Sequence, residues 1–425
     1  MKTALSFLLM GILLFVIRQE SFCQETLISD SASEAINKHQ LVISGYIQPQ
    51  FQLAAQKGIH SYQGGDFAAE VNNRFMLRRA RAKVEYHLLS KDRKPSADFV
   101  FQINGTEQGV SIKDVFGRIN ENRLKMFSLS VGVFPLPFGN ELTLSSMSRE
   151  SPERGRMSQI LLKGERDLGA MISFRPRSKS HLLKNWGWNV GVFNGTGVLS
   201  DIDSRKNFVS RIYHLPAKIG KETFLSGGIS VYHGGMLQNT KYRYKVARQN
   251  EIKLFVVDSA NGNFGKSAPK NHFGADVQWV WNGKRGSTAI RAEYIFGTQT
   301  GTVVSSETPL TLLVGDEGHY IRKFNGGYFY LIQDIFSPKY QLVLKYDWYD
   351  PNTRVTGRNI GAVGSNFTAA DVKYSTFGGG FIFGISSNVK GLLWYDHVVN
   401  EKTLLDDLRK DIKDDVFTLR LQFEF

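Results

Sequence analysis

The chain has 425 residues and a formal net charge of +14 at pH 7, with 30 Phe, 16 Tyr and 41 Gly against 11 Pro and a single Cys. One cysteine excludes a disulfide framework, and no apolar run beyond Ile17 is long enough for a membrane helix. A basic balance points to anionic partners, but alone it does not separate nucleic acid, lipopolysaccharide and small anions.

Met1 to Cys23 reads as a secretory signal: Lys2 at the start, an apolar run from Ala4 to Ile17, and small residues at Ser21 and Cys23 before Gln24. Residues 24–40 form a short polar lead, and 41–425 read as one domain, because no linker or composition shift divides them. Leu41–Gln52 alternates, with Leu41, Ile43, Ile47 and Phe51 against Ser44, Tyr46, Gln48 and Gln50. Next, Phe75–Leu88 (FMLRRARAKVEYHL) sets Arg79, Arg81, Lys83 and Glu85 on one face and Ala80, Ala82, Val84, Tyr86 and Leu88 on the other. A helix would scatter these charges and leave no apolar stripe. Ala97–Gly105 carries Asp98, Gln102 and Asn104 on its polar face, Ile112–Ile119 carries Asp114 and Arg118, and Phe127–Phe134 alternates cleanly. Pro135 to Arg166 is a long interruption holding Arg149, Arg154, Arg156, Lys163 and Arg166 with Glu141, Glu150 and Glu153.

Strands resume at Leu168–Phe174, Trp186–Asn194, Lys206–Leu215 and Phe224–His233. After a long loop, Phe273–Trp281 and Ala289–Gly297 follow, the latter with Arg291 and Glu293. Tyr328–Gln333, Gln341–Tyr349, Tyr374–Phe383 and Val389–Val398 precede the ending FTLRLQFEF, Phe417–Phe425, whose polar face includes Arg420. That ending resembles the closing strand of bacterial outer-membrane barrels, and combined with a secretory start the resemblance implies the outer membrane. About 16 strands satisfy the even count of bacterial barrels, and the connections alternate between mostly short and mostly long, as periplasmic turns and outer loops do. The sequence therefore predicts an all-β fold, a transmembrane antiparallel β-barrel of about 16 strands.

On this reading Arg79, Arg81, Lys83, Arg118, Arg291 and Arg420 line a water-filled lumen and attract anions; the plain alternative is a solvated sheet edge. The Pro135–Arg166 loop is expected to fold inward, with Arg149, Arg154, Arg156, Lys163 and Arg166 as constriction residues, against the alternative of an ordinary exposed loop. KYRYKVAR (Lys241–Arg248) reads as an outer-loop hairpin facing lipopolysaccharide or funnelling anions, or as a solvated loop, rather than a stacking surface for nucleic acid. Gly265-Lys266-Ser267 ends like a phosphate loop, but Ala260 stands where the first glycine is required. The 9 His residues show no zinc spacing, and no nucleophile motif is present. No metal, cofactor or catalytic residue is expected. Leu404, Leu405, Leu408 and Ile412 suggest a helical turn or two in a solvated cap.

Several segments together resemble the phosphate-selective porins of the O and P type. They are FMLRRARAKVEY, Asp114–Phe116, VGVFPLPFGNELTLSS (Val131–Ser146), Arg166–Gly169, VGVFNGTG (Val190–Gly197) and the terminal strand. The PFG-x-E turn, Pro137 to Glu141, is the most specific piece. The resemblance implies a 16-stranded outer-membrane barrel, usually trimeric, that passes anions by diffusion. It maps the family's arginine ladder onto Arg79 and Arg81, and leaves Lys163 or Lys113 for its central lysine. The expected function is passive diffusion of small anions such as phosphate, in a homotrimer contacting outer-membrane lipid and lipopolysaccharide, with no nucleic-acid partner. The alternatives are a porin for organic acids or sugars and an outer-membrane hydrolase, which would need Ser or Asp with His converging at the rim.

Overall fold

The computed structural model describes residues 38–90, 93–315 and 317–425; the expected secretory signal and most of the expected lead lie outside them. Its strands are β1 (His39–Ala54), β2 (Asn73–Leu89), β3 (Pro95–Thr106), β4 (Gly109–Asn120), β5 (Phe127–Pro135) and β6 (Arg166–Phe174). Then come β7 (Trp186–Phe193), β8 (Asn207–Lys218), β9 (Thr223–Leu237), β10 (Arg243–Gln249), β11 (Ile252–Asp258) and β12 (Ser267–Gly283). The last six are β13 (Gly286–Gly301), β14 (His319–Ile335), β15 (Ser337–Asp350), β16 (Tyr374–Gly384), β17 (Val389–Asn400) and β18 (Val416–Glu424). All 18 belong to one sheet, of which 16 form a closed antiparallel wall. β9 passes directly to β12, so the β10–β11 hairpin stands outside the wall; β10 pairs with β14 in parallel from Arg243 to Lys245, and Phe255 of β11 packs on Tyr320.

β1 closes the ring on β18, from Tyr46 opposite Glu424 to Ala54 opposite Val416. Closure removes both sheet edges, so every wall strand finds backbone partners without water. The terminal Phe425 extends this seam by exchanging two backbone hydrogen bonds of 3.0 Å with Gly45. Its ring occupies the space where a side chain at residue 45 would stand, 2.3 Å from an ideal Cβ.

Alternation sorts the side chains by solvent. Leu41, Ile43 and Ile47 of β1 face outward and are exposed, whereas Tyr46, Gln48, Gln50 and Gln52 face the lumen and are buried. Along β12, Phe273, Val277 and Trp281 form the same apolar exterior. Such a wall is the reverse of a soluble barrel, with the apolar face outside and the polar face within.

Two irregularities re-aim side chains. A register shift opposite Gln48/Pro49 of β1 bulges β2 at Arg78, so that neighbouring Arg78 and Arg79 both reach the lumen. A second shift opposite Gln102/Ile103 bulges β4 at Lys113, next to inward-facing Asp114. Bulges insert one unpaired residue and turn it relative to its neighbours; strict alternation in the sequence hides both cations.

The connections sort by end, except for the tight outer turn at 107–108 and the long periplasmic connection at 175–185. Between β2 and β3, β12 and β13, β14 and β15, and β16 and β17 they are tight turns. At the other end, residues 136–165, 302–318, 351–373 and 401–415 are long. In the last of these, the expected solvated cap is instead a packed one. Leu408 is buried with Val355, Ile360, Phe367 and Phe255 of the hairpin, and Leu405 and Ile412 pack against them. These side chains cover one another across three loops, which sequence periodicity within one loop does not reveal.

Candidate functional site in the barrel lumen

The segment between β5 and β6 runs inside the barrel, and its entry turn explains the Pro137–Glu141 motif. The Glu293 carboxylate on the wall accepts the backbone N–H groups of Asn140 and Glu141 at 3.0 and 2.9 Å. Gly139 immediately precedes them, at φ 62°, where an ideal Cβ would stand 2.0 Å from a Glu293 oxygen. Only glycine allows both that left-handed turn and that approach. Glu141 then reaches forward, accepting the Gly155 N–H at 2.9 Å and the Ser158 hydroxyl at 2.5 Å. It thereby holds the start of the short helix α1 (Arg156–Leu161).

Apolar burial fixes one side of this loop. Leu136, Phe138, Leu142, Met157, Ile160, Leu161 and Leu162 pack on inward-facing Phe193, Val209, Tyr232, Ile295, Phe324 and Tyr349. Each such side chain contributes about 1.5–3 kcal/mol when fully buried. A continuous apolar core inside the barrel thus occupies the part of the lumen beside β7–β9 and β13–β15.

Ion pairs fix the rest. Glu153 receives Arg78 at 2.7 Å, Arg79 at 2.6 Å and Arg420 at 3.1 Å. Burial opposes ionisation of Glu153, but the three guanidinium groups outweigh it and hold the carboxyl well below its usual range. Arg420 also donates to the Pro152 carbonyl at 2.8 Å. Arg291 forks onto Glu150 at 2.9 and 3.2 Å. Glu165 joins Arg154 at 2.5 Å and also Arg166, which reaches Asp114 of β4 at 2.8 Å. Burial raises Glu165, yet Arg154, Arg166 and Lys113 overcome it and hold it strongly ionised.

Between the loop and β1–β4 lies a cavity of about 540 Å³ lined by Tyr46, Arg81, Lys83, Arg149, Arg166 and carboxylates including Asp114 and Glu165. Arg81 is 7% exposed; its contacts are a 3.4 Å hydrogen bond to Asn104 and the Tyr46 ring at 5.8 Å. Arg149 is 8% exposed, and its buried Nε has no hydrogen-bond partner among the described residues. Neither guanidinium has a carboxylate within salt-bridge distance among the described residues. Lys113 stands within electrostatic reach of Glu165, Arg81 and Arg166.

A second cavity of about 540 Å³ opens on the outer-loop side, lined by Tyr62, Arg156, Lys163, Glu307, Tyr349, Tyr374 and Asp414. Arg156 is sandwiched by Tyr374 at 3.6 Å and Tyr62 at 4.7 Å. Lys163 pairs with Glu307 at 2.7 Å. Burial pushes the Asp414 carboxyl up to about 6, against the nearby Arg156.

The residues singled out in the sequence therefore separate. Arg81, Arg149 and Arg166 share the inner cavity, joined by Lys83, which is paired with Glu85 at 2.8 Å. Arg79, Arg420 and Arg291 serve as anchors for the loop. Arg156 and Lys163 belong to the outer cavity. Arg118 is half-exposed on the lumen wall, 3.2 Å from the Ser130 hydroxyl and 3.9 Å from Asp98. Sequence reasoning missed Arg78, Glu165 and Glu293. Glu293 carried a signal in retrospect, as a carboxylate on the polar face of a strand that also bears Arg291.

No family model and no curated protein matches the chain. Solved structures do. The chain is similar to OmpT, an outer membrane protein of Vibrio cholerae in its trimer form, at TM-score 0.51 and 9% identity over 91% of this chain and 99% of that one. A loop L8 deletion mutant of the same protein gives TM-score 0.52 at 8% identity, over 91% and 100%. The outer membrane channel DcaP of Acinetobacter baumannii gives TM-score 0.52 at 10% identity, over 91% and 97%. These likenesses establish the fold, and with the apolar exterior they place the chain in the outer membrane.

Proposed function

We propose that the barrel is a porin for passive diffusion of small anions, assembled as a homotrimer in outer-membrane lipid and lipopolysaccharide. One observation carries the anion preference: the inner cavity presents the guanidinium groups of Arg81 and Arg149, neither with a carboxylate partner among the described residues. Their charges act across a narrow wall and raise the local anion concentration. Asp114, Glu165 and Glu424 on the same lining keep the site from becoming a deep trap, and conduction requires binding weak enough to release. Arg79, Arg291 and Arg420, spent on loop carboxylates, supply structure in this reading. Phosphate is the favoured solute on two grounds: the resemblance of the sequence, and the planar fork by which Arg holds phosphate oxygens.

The outer cavity favours a second solute class. Tyr62, Tyr349 and Tyr374 beside Glu307 and Asp414 suit a solute with hydroxyls or a flat apolar face, as in sugars and organic acids. Reversal potentials in planar bilayers under a salt gradient test both readings. The account expects anion preference, with phosphate slowing chloride current at millimolar concentration; cation preference would refute it.

A further inference from the structure

The most unbalanced charge of this molecule lies outside its lumen. Five of the seven turns at the periplasmic end carry Lys or Arg, and Lys339 stands just past a sixth. Arg93 and Lys94 stand on the first, and Arg123 and Lys125 on the second. Arg175, Arg177, Lys179 and Lys184 stand on the third. Lys218 and Lys221 flank the fourth, Lys284 and Arg285 form the fifth, and Lys339 follows the sixth. None of these is ion-paired with another described residue. The carboxylates described in these turns are Glu121 and Glu222, and Glu121 is folded back on the Leu124 N–H at 2.5 Å. At the opposite end, some exposed cations are paired, as in Lys57–Glu70, Lys206–Asp201, Arg248–Glu251 and Arg409–Asp406, and others without an ion pair among the described residues, such as Lys402, Lys410 and Lys413, lie among the carboxylates Glu401, Asp406, Asp407, Asp411, Asp414 and Asp415.

The same turns push apolar side chains into the open. Leu182 is 94% exposed, Phe336 85%, Ile219 60%, Leu124 58% and Ile385 58%. Phe336 does so at φ 62°, a conformation that bulky residues rarely adopt. Trp186, Trp281 and Tyr340 face outward at the adjoining strand ends, at the level of an interfacial aromatic belt.

Unpaired like charges around a ring repel one another, and isolated apolar tips in water gain nothing. Both are relieved by one surrounding: a sheet of anionic headgroups, with phosphates at the level of the cations and acyl chains just beyond. Long basic stems lie along apolar surface while their heads reach phosphate, and cations beside an anionic leaflet are attracted within a Debye length. The features recur around most of the circumference, whereas a protein partner would dock on one patch. We propose that the periplasmic rim binds the anionic headgroups of inner-leaflet phospholipid as an annulus, independently of what the lumen conducts.

The full-length protein reconstituted with bromine-labelled phosphatidylglycerol or bromine-labelled phosphatidylcholine tests this through quenching of its tryptophans. A roughly three- to tenfold preference for phosphatidylglycerol is expected at low salt, fading at about 0.5 M salt. A variant with Lys179, Lys184, Lys218, Lys221 and Lys284 each changed to Gln should fold, keep the parent's reversal potential and lose the preference. Equal quenching by both lipids, or a preference the variant retains, would overturn the proposal. So would a variant with shifted ion selectivity and unchanged lipid preference, which would make the rim an ion funnel. Sedimentation with purified peptidoglycan in the absence of any lipid preference would also overturn it, in favour of a cell-wall contact.

Discussion

Glu153 shows how a charge count can mislead at the scale of single residues. Three arginines that face the lumen converge on this one carboxylate, so their charge is largely neutralised where it lies. Breaking a buried pair from one side strands the remaining charges. Glu153→Gln is therefore expected to weaken loop docking by about 3 kcal/mol, read as faster hydrogen exchange over residues 147–156. The pH dependence has a definite sign. The Glu153 carboxyl is held far below the ordinary value near 4.3. Its stabilisation is thus complete above that value and is lost only as pH falls through the lower, docked one. Exchange protection of the loop should persist at pH 5; loss of protection there would contradict the assignment. The bulges at Arg78 and Lys113 were illegible in the sequence, because a single inserted residue leaves the surrounding alternation intact on either side.

At the scale of elements, the wall strands were legible, and so was the expectation of an inward loop, but the contacts that seat the loop were not. Alternation over nine or more residues with an apolar outer face marks a barrel strand such as β18 or β12. The loop between β5 and β6 has no such period; its path depends on contacts with strands far along the chain. Its bounding residues, Pro135 and Arg166, could still be read from where alternation stops and resumes. Gly139 makes its seating testable. Gly139→Ala forces a Cβ against Glu293 in a left-handed turn, and the loop should leave the wall, raising single-channel conductance and its noise. Unchanged conductance would show that the turn tolerates the methyl. The β10–β11 hairpin makes a contrasting case, since it caps the loops and lies outside the wall. Deleting residues 243–258 should leave the barrel folded, with its heat-modifiable migration on unheated gels intact. Failure to fold would mean that the hairpin helps close the wall.

At the scale of the whole molecule, the overall basicity divides between two places. The lumen holds cations that are largely matched by carboxylates around the loop, with Arg81 and Arg149 unpaired in the inner cavity among the described residues, and the periplasmic rim holds a ring of cations without ion pairs. Composition left the place of that charge open, because a sum carries no positions, and strand alternation pointed only to the part that faces the lumen. The account's central claim is that ions cross through the gap between the loop and β1–β4, past Arg81. Arg81→Cys in a background with Cys23 changed to Ser tests it most directly, by single-channel recording during addition of a charged thiol reagent. The account predicts a stepwise fall in conductance, with an anionic reagent also lowering anion preference. Full, unaltered current through protein shown by mass to be modified would contradict it.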